Sequence, residues 1–146
     1  MLSKLIVGTW EVVTRIDRKH DGTEVEEPSL GRDPVALIMF DVNSRFAAQF
    51  MKRTAGAVAE ASTPSRAAPN NTRAINGYDS YFGTYRVDDE RKLVTLTLTG
   101  ALSRENVGMV LTREMAVVRD QLVIRVPTAA ADGTSVVRTL TCRRAC

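Results

Sequence analysis

Arg113 and Arg138 are the residues of this chain best placed to do chemistry. Leu111, Arg113, Met115 and Val117 share one face of an alternating run, and Val136, Arg138, Leu140, Cys142 and Arg144 share one face of another. The apolar members of each set belong inside a sheet protein, so both guanidinium groups point inward with them. A charge in an apolar interior is costly unless something pairs with it. In an interior lined by Leu37, Met39, Leu96, Leu98, Ile124 and Val126, with Gln49 beside them, the arginines would clamp a carboxylate, phenolate or enolate of a bound molecule. The alternative is that they pair with internal carboxylates or backbone carbonyls. A register slip of one residue would turn both outward.

Tyr78, Asp79, Tyr81 and Tyr85 form a second cluster. In an enzyme, Tyr81, Tyr85 or Asp79 would move a proton in an isomerisation, cyclisation or dehydration, while the arginines stabilise developing negative charge. Otherwise Tyr78 and Tyr81 pack a covering helix and Asp79 is solvated on its outer face. The expected ligand contacts are therefore Arg113, Arg138, Met39, Gln49, Leu96, Leu98 and Tyr78. Tyr81, Tyr85 and Asp79 are catalytic only if there is a reaction.

Other chemistries find little support. The one histidine, His20, sits in the turn sequence His20-Asp21-Gly22-Thr23, and no Cys/His or His/carboxylate spacing suggests a metal site. The same shortage argues against a Ser-His-Asp or Cys-His nucleophile, and there is no glycine-rich phosphate loop. No cofactor or metal is expected. The formal charge of +3 is spread from Arg15 to Arg144 without the basic, aromatic-studded face of a nucleic-acid binder. Cys142 and Cys146 would lie about 13 Å apart in one extended strand, beyond bridging distance, and are expected to stay reduced. The N-terminal MLSKLIVG is too short for a signal-peptide core or a membrane span, which leads to the expectation of a soluble, cytoplasmic protein.

What must hold these residues is a sheet. With 146 residues, 44% of them hydrophobic, the chain fits one domain, residues 1–146, around a single core. Period-two alternation predicts strands over Leu5–Arg18, with Trp10, Val12, Thr14 and Ile16 inward, and over Val35–Phe40, Arg45–Met51, Tyr85–Val87, Leu93–Leu102, Met109–Val118, Gln121–Pro127 and Val136–Arg144. Thr54–Pro69 reads as a loop or flap. Ala74, Ile75, Tyr78, Tyr81 and Phe82 fall at helical spacing behind Asn71, predicting one short helix near residues 71–82. About eight strands joined mostly by short turns favour an all-β fold, an eight-stranded antiparallel up-and-down β-barrel, since closure removes unpaired edges.

In such a barrel the last strand pairs with the first, so an inward Arg144 would lie across the indole of Trp10, with Gly8 leaving room for the backbone to curve. Here Gly8-Thr9-Trp10 resembles the Gly-X-Trp that opens the first strand of lipocalin-like proteins, and Arg144 is similarly placed to the arginine packed on that tryptophan. The resemblance to the bacterial lipocalin-like domain family extends along nearly the whole chain, through VALIMFDVNSRFAAQFMKR, GYDSYFGTYRVDD, LTGALSRENVGM, LTREMAVVRDQLVIRVP and RTLTCRR. Departures are Cys142, where the final strand usually carries tryptophan, and Leu96, where a polar residue is often seen. The resemblance implies a barrel enclosing a small, mostly apolar ligand, used either as a carrier or as an enzyme. The oligomeric state stays open, a homodimer included.

Overall fold

The computed structural model describes residues 1–53, 70–130 and 132–145. The expected flap at Thr54–Pro69 and the terminal Cys146 lie outside the described residues. A single helical turn, α1 (Leu2–Leu5), leads into β1 (Gly8–Lys19) and the short β2 (Glu24–Val25). Then come β3 (Val35–Phe40), β4 (Arg45–Met51), β5 (Tyr78–Asp88), β6 (Leu93–Ala101), β7 (Val110–Val118), β8 (Gln121–Ala129) and β9 (Ser135–Arg144). Successive strands from β3 to β9 pair antiparallel, β1 pairs with β3 on one side and β9 on the other, and β2 adds to the far end of β1. The result is a closed eight-stranded antiparallel barrel. No helix among the described residues is long and apolar enough to cross a membrane.

The barrel has a closed end. Antiparallel alternation puts α1 and the β3–β4, β5–β6 and β7–β8 turns at one end, and the longer connections at the other. Trp10 is fully buried there, its indole N–H donating to Ile6 O at 2.8 Å. Arg144 pairs with Trp10 across the β1–β9 seam, and its guanidinium carbon sits 4.2 Å from the indole centroid. The same guanidinium donates to Val7 O at 3.0 Å and Leu5 O at 2.9 Å, tying α1 to the barrel floor. Gly8 has φ +134°, and a Cβ there would stand 2.7 Å from Arg144 Nη1. Glycine thus gives the backbone an otherwise strained turn and the arginine its path. Replacing Arg144 with alanine removes the stacking and both hydrogen bonds, and is expected to cost about 2 kcal/mol. A thermal melt checks this; because Arg144 lies at the closed end, ligand selectivity should not change.

Three expectations are corrected. The segment read as a helix at 71–82 is a tight hairpin turn followed by strand β5. Ile75 and Tyr78 exchange backbone hydrogen bonds at 2.8 and 3.0 Å around Asn76-Gly77, whose φ angles are +52° and +73°. Asn-Gly is the favoured pair for a two-residue turn of this hand, so turn chemistry prevails over apparent helical spacing. In β1 the alternation breaks at a bulge between Val12 and Thr14, which turns Arg15 and Asp17 inward in place of Thr14 and Ile16. In β3 the register of Trp10 with Ile38 and of Ile38 with Ala48 fixes the inner face as Ala36, Ile38 and Phe40. Leu37 and Met39 are consequently on the outer face, and so is Gln49, the register partner of Leu37.

Candidate functional site

The barrel interior is divided by polarity. Toward the closed end it is filled by Trp10, Phe40, Phe46, Leu122 and Cys142, all nearly inaccessible. Burial pushes the Cys142 thiol up to about 12, so it packs as an apolar group and not as a nucleophile. Toward the loop end the inner face carries Arg15, Asp17, Asp79, Tyr81, Arg113 and Arg138. Each arrives there by strand alternation: Arg15 and Asp17 after the bulge in β1, Asp79 and Tyr81 two residues apart in β5, Arg113 between Leu111 and Met115 in β7.

Two of the three interior arginines have carboxylate partners. Arg138 meets Asp17 through two parallel hydrogen bonds, Nε to Oδ1 at 2.7 Å and Nη2 to Oδ2 at 3.0 Å. Arg15 Nη1 lies 2.7 Å from Glu27 Oε1, bringing down the loop between β2 and β3, whose Leu30 is buried in the same core. Glu27 also accepts from the Ser29 hydroxyl and from the Ser29 and Leu30 backbone N–H groups. Burial alone would raise its pKa, but the charge of Arg15 and the hydrogen bonds from Ser29 and Arg15 bring it down from 4.5 to about 2. The stabilisation this carboxylate supplies is therefore complete above pH 4.5 and lost as pH falls toward 2. Wild type should lose about 3 kcal/mol more than Glu27→Gln across that interval, as read by denaturant titrations at each pH.

Arg113 is different. It is only 5% exposed, and its Nη1 donates to two carbonyls, Asn70 O at 2.8 Å and Thr112 O at 3.1 Å. It also approaches the Tyr81 phenol, but no carboxylate among the described residues forms an ion pair with it. Burial, opposed by Tyr81, lowers its pKa, an expression of how poorly its charge is solvated. Tyr81 is held by Phe46 and Phe50, each with ring centroids 6.1 Å away. Burial raises the Tyr81 pKa against the pull of Arg113. Two residues before it, buried Asp79 accepts from Thr72 Oγ1 at 2.6 Å and from Ser80 N at 2.9 Å and joins no ion pair among the described residues. Its pKa is raised by burial, although Thr72, Ser80 and Arg15 all oppose that.

The β7–β8 ladder stops short of Arg113. β7 pairs with β8 only over Glu114–Val118, and Asn70 fills the gap above, its side-chain amide bonding the Thr112 N–H at 2.7 Å and the Thr112 carbonyl at 3.0 Å. On β8, the Thr128 hydroxyl is buried without a hydrogen-bond partner among the described residues. Among the described residues, a guanidinium without an ion-pair partner, a carboxyl without one, a phenol and an unpartnered hydroxyl thus share the inner face of the barrel.

The matching family model is described as a lipocalin-like domain and spans residues 7–145. The chain belongs to this lipocalin-like family. No curated protein matches it. Membership of a lipocalin-like family, whose barrel surrounds a central interior, suggests small-molecule binding in general. Within this lipocalin-like barrel Arg113, Arg138, Leu96 and Leu98 line the interior as expected from sequence. Met39 and Gln49 do not, and Tyr78 falls outside by alternation with Asp79. Tyr85 is at the closed end, edge-on to Phe40 at 5.0 Å with its hydroxyl donating to Asp41 O at 2.6 Å, away from Arg113. Sequence reasoning missed Arg15, Asp17 and Glu27. The adjacent Val12-Val13, which break the alternation of β1, were the only cue to the bulge that turns the first two inward.

Proposed function

We propose that the barrel binds a small, mostly apolar molecule with one anionic or carbonyl group, and that Arg113 holds that group. The observation that carries this reading is a buried guanidinium whose partners among the described residues are all neutral. Taking an ion out of water costs several kcal/mol, and carbonyl acceptors offset only part of that. A ligand carboxylate, phenolate or enolate supplies the missing charge through a bidentate contact. Arg138 is already committed to Asp17 and serves the site by holding the wall. Leu96, Leu98, Ile124 and Val126 supply apolar surface for the rest of the molecule. Titration with 1-anilinonaphthalene-8-sulfonate, followed by dye fluorescence, tests the reading: saturation at one dye per chain supports it. No saturable signal, with native far-ultraviolet dichroism, points to a filled barrel and counts against it.

A second reading is favoured by the approach of Tyr81 to Arg113. In a cofactor-free isomerase, cyclase or dehydratase, Arg113 would stabilise negative charge on a carbonyl oxygen while Tyr81 or Asp79 moves the proton. Burial raises the pKa of both groups, favouring their proton-donating forms. Under this reading Tyr81→Phe abolishes turnover of a carbonyl substrate and leaves dye affinity within a few-fold. Turnover that survives the change excludes the phenol as the proton carrier.

A further inference from the structure

The outer surface of the barrel is two-sided. On β3, β4 and β5, Val35, Leu37, Met39, Met51 and Phe82 are between 40% and 54% exposed. Register aligns them in rows: Val35 with Met51 and Tyr78, Leu37 with Gln49 and Ser80, Met39 with Ala47 and Phe82. Phe82 continues the third row by lying over Gly100, where a Cβ would come within 2.3 Å of its ring. The opposite side, β6 to β9, presents Thr95, Thr97, Glu114, Arg125, Thr139 and Thr141 among scattered apolar residues such as Val110, Val118 and Val137. Scattered apolar residues on a monomer need no explanation, but contiguous rows do.

We infer that this face is a homodimer interface, occupied by a second copy of the chain. Relief and charge both argue for self-association. The base end of the face holds a groove of about 710 Å³, whose lining includes Met39, Ala47, Phe82 and Thr84 and the charged Asp41 and Arg45. Val35, Leu37 and Met51 project at the other end. A two-fold axis near Gln49 lays the projections of each copy into the groove of the other, the isologous arrangement of most dimers. Gln49, whose amide both donates and accepts, is suited to meet its own counterpart on that axis.

The rim charges agree with the same operation. The Arg45 guanidinium forms no ion pair with a described residue, whereas Asp33, at the opposite end, is 62% exposed beside Arg53 at 3.5 Å. Reversal of the face by the two-fold brings Arg45 toward the second copy's Asp33–Arg53 pair. Along the side, Glu11 and Arg143 pair at 3.0 Å, so the rim carries both signs and lacks the uniformly basic border that an anionic lipid surface selects. Three strands about 4.8 Å apart and eight residues at about 3.4 Å each cover about 400 Å². Side-chain relief and the rim bring this toward the roughly 800 Å² per partner of a stable complex.

Sedimentation velocity on the wild type, Met39→Glu and Val118→Glu tests the inference. Wild type should sediment with the mass of two chains. Met39→Glu should raise the dissociation constant by about 100-fold while far-ultraviolet dichroism and dye binding persist. Val118→Glu, at a 63% exposed position on β7 away from the face, should stay dimeric. A single-chain mass for the wild type across the micromolar range overturns the inference, as does equal dissociation by both variants. Single-chain protein that floats with phosphatidylcholine vesicles also overturns it and assigns the face to lipid.

Discussion

Replacing Asp17 with alanine is expected to lower the unfolding free energy by about 3–5 kcal/mol. The reason is the Arg138 side chain, 11% exposed, which would lose both hydrogen bonds to a carboxylate that is itself 1% exposed. An uncompensated guanidinium would then stand within electrostatic reach of Arg15 and Arg113. For a domain whose whole stability is about 5–15 kcal/mol, a loss of this size brings unfolding close to ambient temperature. Breaking a buried pair differs from removing it. The double variant Asp17→Leu with Arg138→Met should recover most of the loss, giving a large favourable coupling energy in urea denaturation. If the double variant is as unstable as the sum of the singles, the pair is not what the interior depends on.

Replacing Arg113 with leucine should have the opposite character. The guanidinium has no carboxylate partner among the described residues, so its removal relieves an unpaired buried charge, and the melting temperature should be unchanged or raised. Binding should suffer instead. A charge-assisted contact in a desolvated site contributes about 2–3 kcal/mol, so an anionic ligand should bind about 30- to 150-fold more weakly. The neutral, isosteric amide or alcohol should change by less than about threefold, since its apolar contacts remain. Fluorescence competition against a bound dye reads both. Stability gained where affinity is lost marks a residue retained for function. Equal losses for charged and neutral ligands would place Arg113 outside the site.

The legibility of the sequence followed the contrast between the faces of each strand. In β7 and β9, polar and apolar residues alternate strongly, and the inward placement of Arg113, Arg138 and Arg144 follows from that pattern alone. Trp10 on Arg144 was legible because closure must bring the first and last strands together. β3 is apolar on both faces, so nothing local separates Leu37 and Met39 from Ile38 and Phe40; the register with Trp10 decides it. The outer member of that ambiguity is the proposed dimer face, which is why it reads as core. The bulge at Val13 is a tertiary event: it lies in the β1–β9 seam, and beyond Glu11, where pairing with β3 ends, Arg15 N–H bonds Arg32 O at 2.7 Å in a loop distant in sequence. Helical spacing at Ala74–Phe82 arose by coincidence, from residues on either side of the Asn76-Gly77 turn. That dipeptide was the cue that would have corrected it.

Arg113 is the charge that a ligand is proposed to complete. The most direct measurement is nuclear magnetic resonance of the arginine Nε–Hε groups during titration with an apolar carboxylic acid, with the Arg113 signal assigned by its disappearance in Arg113→Leu. The account predicts that this signal shifts saturably with the acid and not with its neutral amide, while Arg138, fixed on Asp17, moves little. A saturable shift at Arg138 with none at Arg113, or no shift at either while the acid demonstrably binds, would contradict it.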